Sequence, residues 1–292
     1  MTVQEGAVLS REIAREEHSG APKARRSPFT LGRWLLPTYS VLALVFLMVP
    51  IVYTILFSFN DAVKSNISWR GFTFRNWFTV CDQPGVCQAF GNSILIGVTA
   101  TVLATVLGTL IALALTRYRF RGRAAVNLLI FLPMATPEVV MGAGLAAQFL
   151  SAGIPKGIGT IIIAHTMFCL SFVVVTVKAR ASSLDPALEA AGADLYGSPT
   201  VVFWRITFPL LLPGILAAAL LSFSLSFDDF IITYFNAGAV NTFPTYIYTA
   251  ATRGIPASAN VIATAVFVLA IVAVVASSVV GRIRARRLRP PA

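Results

Sequence analysis

A few ionisable side chains interrupt long apolar runs, and these are the groups that could do chemistry. Glu138 follows Pro133-Met134-Ala135-Thr136-Pro137, Asp228-Asp229 follow Ser222-Phe223-Ser224-Leu225-Ser226-Phe227, and His165 lies among Ile, Ala, Thr and Met. A charge at the centre of a membrane span costs about 2.5–3.5 kcal/mol on insertion scales, so each carboxylate needs an aqueous path or a partner. On such a path, carboxylates can replace the hydration that a cation loses with charge-assisted hydrogen bonds. Tyr246 could add cation-π attraction. Adjacent residues of a helix point about 100° apart, so at most one of Asp228 and Asp229 faces a central path while the other pairs with a neighbour. For Glu138 a structural bond to neighbouring helices is an equal alternative. For His165 an interhelical hydrogen bond is favoured over ion binding or pH sensing.

The chain has no Gly-x-x-x-x-Gly-Lys-Ser/Thr loop, so it has no usual means of binding ATP. It also lacks a nucleophile or metal-ligand constellation, and neither a catalytic residue nor a metal is expected. The reading is therefore a membrane protein without enzymatic activity of its own.

The elements that must position these groups are membrane helices. With 57% hydrophobic residues and a mean hydropathy of +0.78, the 292-residue chain has too little polar surface for a soluble globule. Six runs have the length needed to cross about 30 Å of hydrocarbon: about 35–59, 93–115, 125–150, 158–177, 210–235 and 258–280. Backbone amides in lipid must be paired internally, and without barrel-like alternation the runs are helices. The fold class is an all-α integral membrane protein with six transmembrane helices.

The net charge of +11 is topological. Eighteen Lys and Arg fall before the first span, at 116–124, around the fourth-to-fifth connection and in the tail; five (Lys64, Arg70, Arg75, Lys156, Arg253) fall on the other side. This asymmetry places both termini in the cytosol and attracts the basic loops to the lipid bilayer. Arg117-Tyr118-Arg119-Phe120-Arg121 alternates like an RNA-binding segment, but directly after a span it reads as an anchor, and no nucleic acid is expected. Residues 1–33 read as a disordered tail, 34–285 as the membrane domain and 286–292 as a basic cytosolic tail. Cys81 and Cys87 share the first outward loop and could close a small ring in an oxidising compartment. Cys169 reads as a buried apolar residue.

Between the fourth and fifth spans, residues 185–209 form the longest polar interruption of the second half, with its own helix punctuation. Asp185 with Pro186 signals a helix start, Gly197 its left-handed end, and Ser198-Pro199 a second start. A helix-turn-helix knuckle is expected, running directly into the fifth span. The 15 residues from Pro213 to Asp228 rise about 23 Å, which would put the acidic pair in the outer half of the membrane, on the helix that the knuckle drives.

Within the knuckle, Glu189-Ala190-Ala191, Gly197 and Ile206-Thr207-Phe208-Pro209 resemble the Glu-Ala-Ala loop of permease subunits of ATP-binding-cassette (ABC) importers. Gly197 falls two positions later than the pattern expects, Tyr196 takes the glycine slot counted back from Pro209, and Phe208 replaces leucine. Together with Ser226-Phe227-Asp228-Asp229-Phe230, Phe243-Pro244-Thr245-Tyr246-Ile247-Tyr248 and Arg253-Gly254, residues 34–285 look like the spermidine/putrescine-type permeases, the C-type second permease in particular. The resemblance implies a type I ABC importer permease (MetI-like) fold in a bacterial plasma membrane. It implies a heterodimer with a second permease, two cytosolic ABC ATPase subunits that bind ATP and Mg, and an extracytoplasmic substrate-binding protein; no cofactor is expected in this chain. It makes Asp185, Glu189, Ala190, Ala191, Gly192, Asp194, Gly197, Ile206 and Pro209 the ATPase-coupling residues, and Glu138, Asp228, Asp229 and Tyr246 the substrate path. Ferric iron, thiamine, phosphonate or sugar permeases share the layout. An ion-coupled secondary transporter is the competing class, against which stands the absence of an obvious inverted repeat.

Overall fold

The computed structural model describes residues 30–62, 67–195, 197–252 and 254–287. The expected tails, 1–33 and 286–292, lie outside these residues except for the backbone of 30–33 and 286–287, and so do Lys64 and Arg253. Among the described residues the regular structure is helical, with one isolated bridge between Asn60 and Phe72. The chain divides into two units after Tyr53.

Helix α1 (Thr30–Ser58) stays one helix through Pro37 and Pro50, and Leu35–Ser58 has a mean hydropathy of 2.5. Its part up to Tyr53 is the described portion of the first unit. The second unit begins with an aromatic loop. The Phe59 ring stacks on Phe72 and Trp77 and meets Phe74 edge-on, and Asn60 bonds the Ser68 carbonyl and the Arg70 amide. A short α2 (Arg75–Phe78) follows, and then a Cys81–Cys87 disulfide closes a small ring.

Helices α3 (Val86–Arg117) and α6 (Ile158–Ser182) pack along each other. They approach closely because α3 turns Ala100, Ala104, Gly108 and Ala112, all buried and four residues apart, toward its neighbours. A Cβ on Gly108 would lie 2.6 Å from Val173 Cγ1. Helix α9 (Phe208–Phe227) completes the core, where Leu211, Ile215 and Ala218 meet Leu115 of α3 and Cys169, Val173 and Val177 of α6.

The third expected span is broken. Helices α4 (Arg123–Ala135) and α5 (Glu138–Ser151) meet at 108°. The cause is Pro137, which cannot donate to the ladder and pushes Thr136 into extended backbone at ψ 133°. Pro133 is accommodated inside α4. With 13 and 14 residues, the halves rise only about 20 Å each, too short to cross a bilayer singly.

The fifth expected span also ends early. Helix α9 stops at Phe227, Asp228-Asp229-Phe230 form a break, and a separate α10 (Ile231–Asn236) packs back onto α5. Gly142 of α5 permits this contact, since a Cβ there would lie 3.3 Å from the Ile232 Cα. The acidic pair therefore sits in a break beyond the helix, not on it. After α11 (Phe243–Ala251) the chain ends in α12 (Ala257–Arg287).

Candidate functional site

The knuckle is a short helix α7 (Ala187–Asp194), then α8 (Pro199–Val202), then a π-helical turn, Phe203–Thr207, that continues into α9. The Asp185 carboxylate accepts from the Ala187 amide at 2.9 Å from one residue before Pro186, the N-cap of α7, whereas the Ser198 hydroxyl caps α8 by accepting from the Val201 amide at 3.4 Å. Pro209 lacks the N–H that an α-turn would send to the Arg205 carbonyl, and the wider turn lies just before it. Gly197 is not left-handed. It is needed for proximity: its amide donates to the Gly192 carbonyl, and a Cβ on it would lie 2.6 Å from that oxygen. A Cβ on Gly192 would lie equally near the Ile206 Cδ1, so Gly192, Gly197 and Ile206 fasten α7 to the π turn. Asp185, Ala190, Ala191 and Asp194 are exposed, beside the exposed apolar side chains of Leu188, Leu195, Val201 and Trp204.

Glu189 points into its own chain. Arg117, the last residue of α3, gives one guanidinium nitrogen to Oε2 at 2.6 Å and the other to Oε1, and the Thr207 hydroxyl donates to Oε1 at 2.7 Å. The Arg117 hydrogen bonds hold the Glu189 carboxyl below the usual carboxylate range against a modest opposing effect of burial. Arg117 and Thr207 are absent from the sequence-derived site; they lie 72 and 18 residues of chain from Glu189.

At the far end of α9 the structure separates the two aspartates. Asp228 is exposed and lines a cavity of about 830 Å³ with Phe230, Phe243, Ile247, Tyr248 and Asn260. The Phe230 and Tyr248 rings lie 4.6 Å apart. Asp229 is 8% exposed and turned away from the cavity lining. It accepts from the Thr233 amide (2.8 Å), the Thr233 hydroxyl (3.0 Å) and the Ile232 amide (3.3 Å), capping α10, and it lies 3.2 Å from His165 Nε2. His165, 1% exposed on α6, also meets Ser226 at Nδ1 (2.7 Å) and Thr233 at Nε2 (2.9 Å). Because an ionised carboxylate only accepts, the network puts a proton on Nε2, while Nδ1 is held by the Ser226 hydroxyl.

The other sequence-derived path residues do not join Asp228. Glu138 is exposed in the first turn of α5. Tyr246 packs against the cluster of Val86, Phe243 and Ile262, and the neighbouring Tyr248 takes the cavity position. One carboxylate among five aromatic rings in an apolar hollow suits a cation carrying aliphatic carbon. Among the described residues no His, Cys, Asp and Glu group could hold a metal.

Residues 104–290 match the family described as binding-protein-dependent transport system inner membrane component. The chain is 34% identical over 253 residues to the spermidine/putrescine transport system permease protein PotC of Escherichia coli (strain K12), covering 86% of this chain and 96% of that protein. It is 31% identical over 258 residues to the putrescine transport system permease protein PotI of the same strain, covering 85% and 92%. Among solved structures, a bacterial ABC transporter involved in import of the acidic polysaccharide alginate aligns with a TM-score of 0.58 at 17% identity, over 88% of this chain and 99% of that one.

Proposed function

The chain belongs to the binding-protein-dependent transport system inner membrane components, a multi-pass permease family with the type I ABC importer fold, and on that premise we propose that it passes polyamines through the plasma membrane as one subunit of an ATP-driven importer. The observation that carries the reading is the course of α9. Its 20 residues rise about 30 Å, the thickness of the hydrocarbon layer. One end is continuous with the knuckle, and the other ends at Asp228 in the aromatic cavity. A push on the knuckle is thus a push on the wall that meets the cargo.

ATP hydrolysis then belongs to two cytosolic ATPase subunits, which grip the exposed face of Ala190, Ala191, Asp194, Leu195 and Trp204. The charge asymmetry of the loops supports having the knuckle and both termini on that side. A second permease covers the open face of the cavity and meets Glu138, and a binding protein on the outer side delivers the substrate. Relatives of this chain named for spermidine and putrescine support a polyamine cargo, and Asp228 with Phe230 and Tyr248 supply the chemistry that an alkylammonium ion needs.

The test is reconstitution with the partner permease, ATPase and binding protein, and a panel of spermidine, putrescine, ferric iron, thiamine and a neutral sugar. Hydrolysis stimulated by the polyamines, with Asp228→Asn lowering polyamine uptake, is the expected result. Stimulation by the sugar alone would refute the cationic path.

A further inference from the structure

Three elements meet at the Glu189 carboxylate: the end of α3 through Arg117, the coupling helix α7 on which Glu189 lies, and the π turn through Thr207. Taking the knuckle as the coupling element, as above, we propose that Arg117 is a positioning residue that couples α3 to the knuckle, so that the motor drives two membrane rods rather than one.

The geometry favours a directional tie over a stabilising one. The Arg117 and Glu189 side chains are 37% and 30% exposed, where ion pairs contribute little to stability. The two-pronged contact, however, fixes the guanidinium plane against the carboxylate. Thr207, 1% exposed, anchors the same carboxylate to the buried side of the π turn. A helix hung on that fork must follow α7 when it moves.

What α3 carries at its other end gives the tie a purpose. From Arg117 to Ser93 the helix rises about 36 Å. There the Ser93 hydroxyl accepts from the Phe243 amide at 2.8 Å, and Asn92 donates to the Asn241 carbonyl at 2.8 Å. These bonds hold the start of α11, whose Phe243, Ile247 and Tyr248 form one wall of the cavity. Helix α9 ends at Phe227, itself part of the lining, and Asp228 and Phe230 follow in the break. One knuckle therefore holds two rods: α9 ends in the cavity lining, and α3 braces α11, which forms another part of it. A rotation of α7 that displaces them unequally changes the gap between Asp228 and Tyr248.

The experiment uses the complete reconstituted importer and reads polyamine moved per ATP hydrolysed, a ratio that mere loss of assembled protein leaves unchanged. Arg117→Glu is expected to lower this ratio about tenfold, toward the low end of typical coupling between sites. The swap Arg117→Glu with Glu189→Arg is expected to restore it to within about twofold of wild type. Ala191→Trp separates the two readings. If it uncouples while Arg117→Glu matches wild type, the second rod is wrong and the knuckle stands. If both match wild type, the knuckle reading itself fails. For any charge variant that does not assemble, the pair Arg117→Cys with Glu189→Cys serves, joined by a bis-maleimide whose span matches the arginine-to-glutamate reach, because cysteines replacing two such long side chains stand too far apart for a disulfide. Its cross-linked form should transport and its unlinked form should not, whereas activity only in the unlinked form would show that the two residues must part during the cycle and would overturn the proposal.

Discussion

Replacing Asp229 with alanine should damage the fold more than the conduit, and the magnitude follows from its partners. The carboxylate accepts from three donors, the amides of Ile232 and Thr233 and the Thr233 hydroxyl, and lies 3.2 Å from His165 Nε2, in a site where both Asp229 and His165 are almost fully buried. Losing a helix cap costs about 1 kcal/mol. Orphaning a buried donor costs about 1–3 kcal/mol. Together the two reach about 2–4 kcal/mol. At roughly 2–4 °C per kcal/mol for larger domains, Asp229→Ala should lower the melting midpoint by about 10 °C. Asp229→Asn keeps an acceptor for the Thr233 amide and should lose about half as much. Asp228→Asn, exposed in the cavity, should stay within about 0.5 kcal/mol of wild type in stability while losing polyamine uptake. Scanning fluorimetry of the purified protein in lipid nanodiscs, beside uptake by the reconstituted importer, reads both effects. If Asp229→Ala melted with wild type, or if Asp228→Asn were the unstable variant, the division of labour between the two aspartates would be wrong.

Two further outcomes test the packing and the knuckle. Gly108→Ala places a Cβ 2.6 Å from Val173 Cγ1 and 2.8 Å from its Cβ. The branched valine cannot swing aside, so the change should cost about 1–3 kcal/mol, and Val173→Ala in the same chain should recover most of it in the same melting assay. Because the folded Glu189 value lies below the unfolded one, its contribution is present above the unfolded value and lost as pH falls through the folded value. Hydrogen exchange of the α7 amides, corrected for intrinsic rates, should therefore show constant protection from neutrality to about pH 4.3, the ordinary glutamate value, and lose it only below. Loss of protection nearer neutrality would mean that Arg117 does not hold the carboxylate.

The helices were legible because length and hydropathy alone decide whether a segment can cross lipid, and five of the six expected spans coincide with long helices or their continuations. The breaks were harder. Pro133 and Pro137 announce a disturbance together, but only the second falls where the following residue starts a new helix, and hydropathy is blind to a 108° turn. The apolar sequence continues past Asp229 into Ile231-Ile232, which made one span out of α9 and α10. The sequence pattern allowed one aspartate to face a path and the other to pair, without saying which. That choice is made by Thr233 four residues on and His165 on another helix, and only the fold brings them together. Gly197 was read for its freedom of φ, whereas its role is to let two backbone segments touch. Arg117 looked like an interfacial anchor, since nothing local links it to a glutamate 72 residues away.

The cavity beside Asp228 is broad and oily, and among the described residues Asp228 is its sole formal charge. Such a hollow is a poor host for a molecule with several ammonium groups, because one carboxylate leaves the remaining positive charges unanswered. Weak retention is what a conduit requires: cargo that lodged firmly at this point would have to be prised loose in every cycle. Tight recognition would then be the task of whatever delivers the cargo, and this chain would provide a brief foothold on the way through.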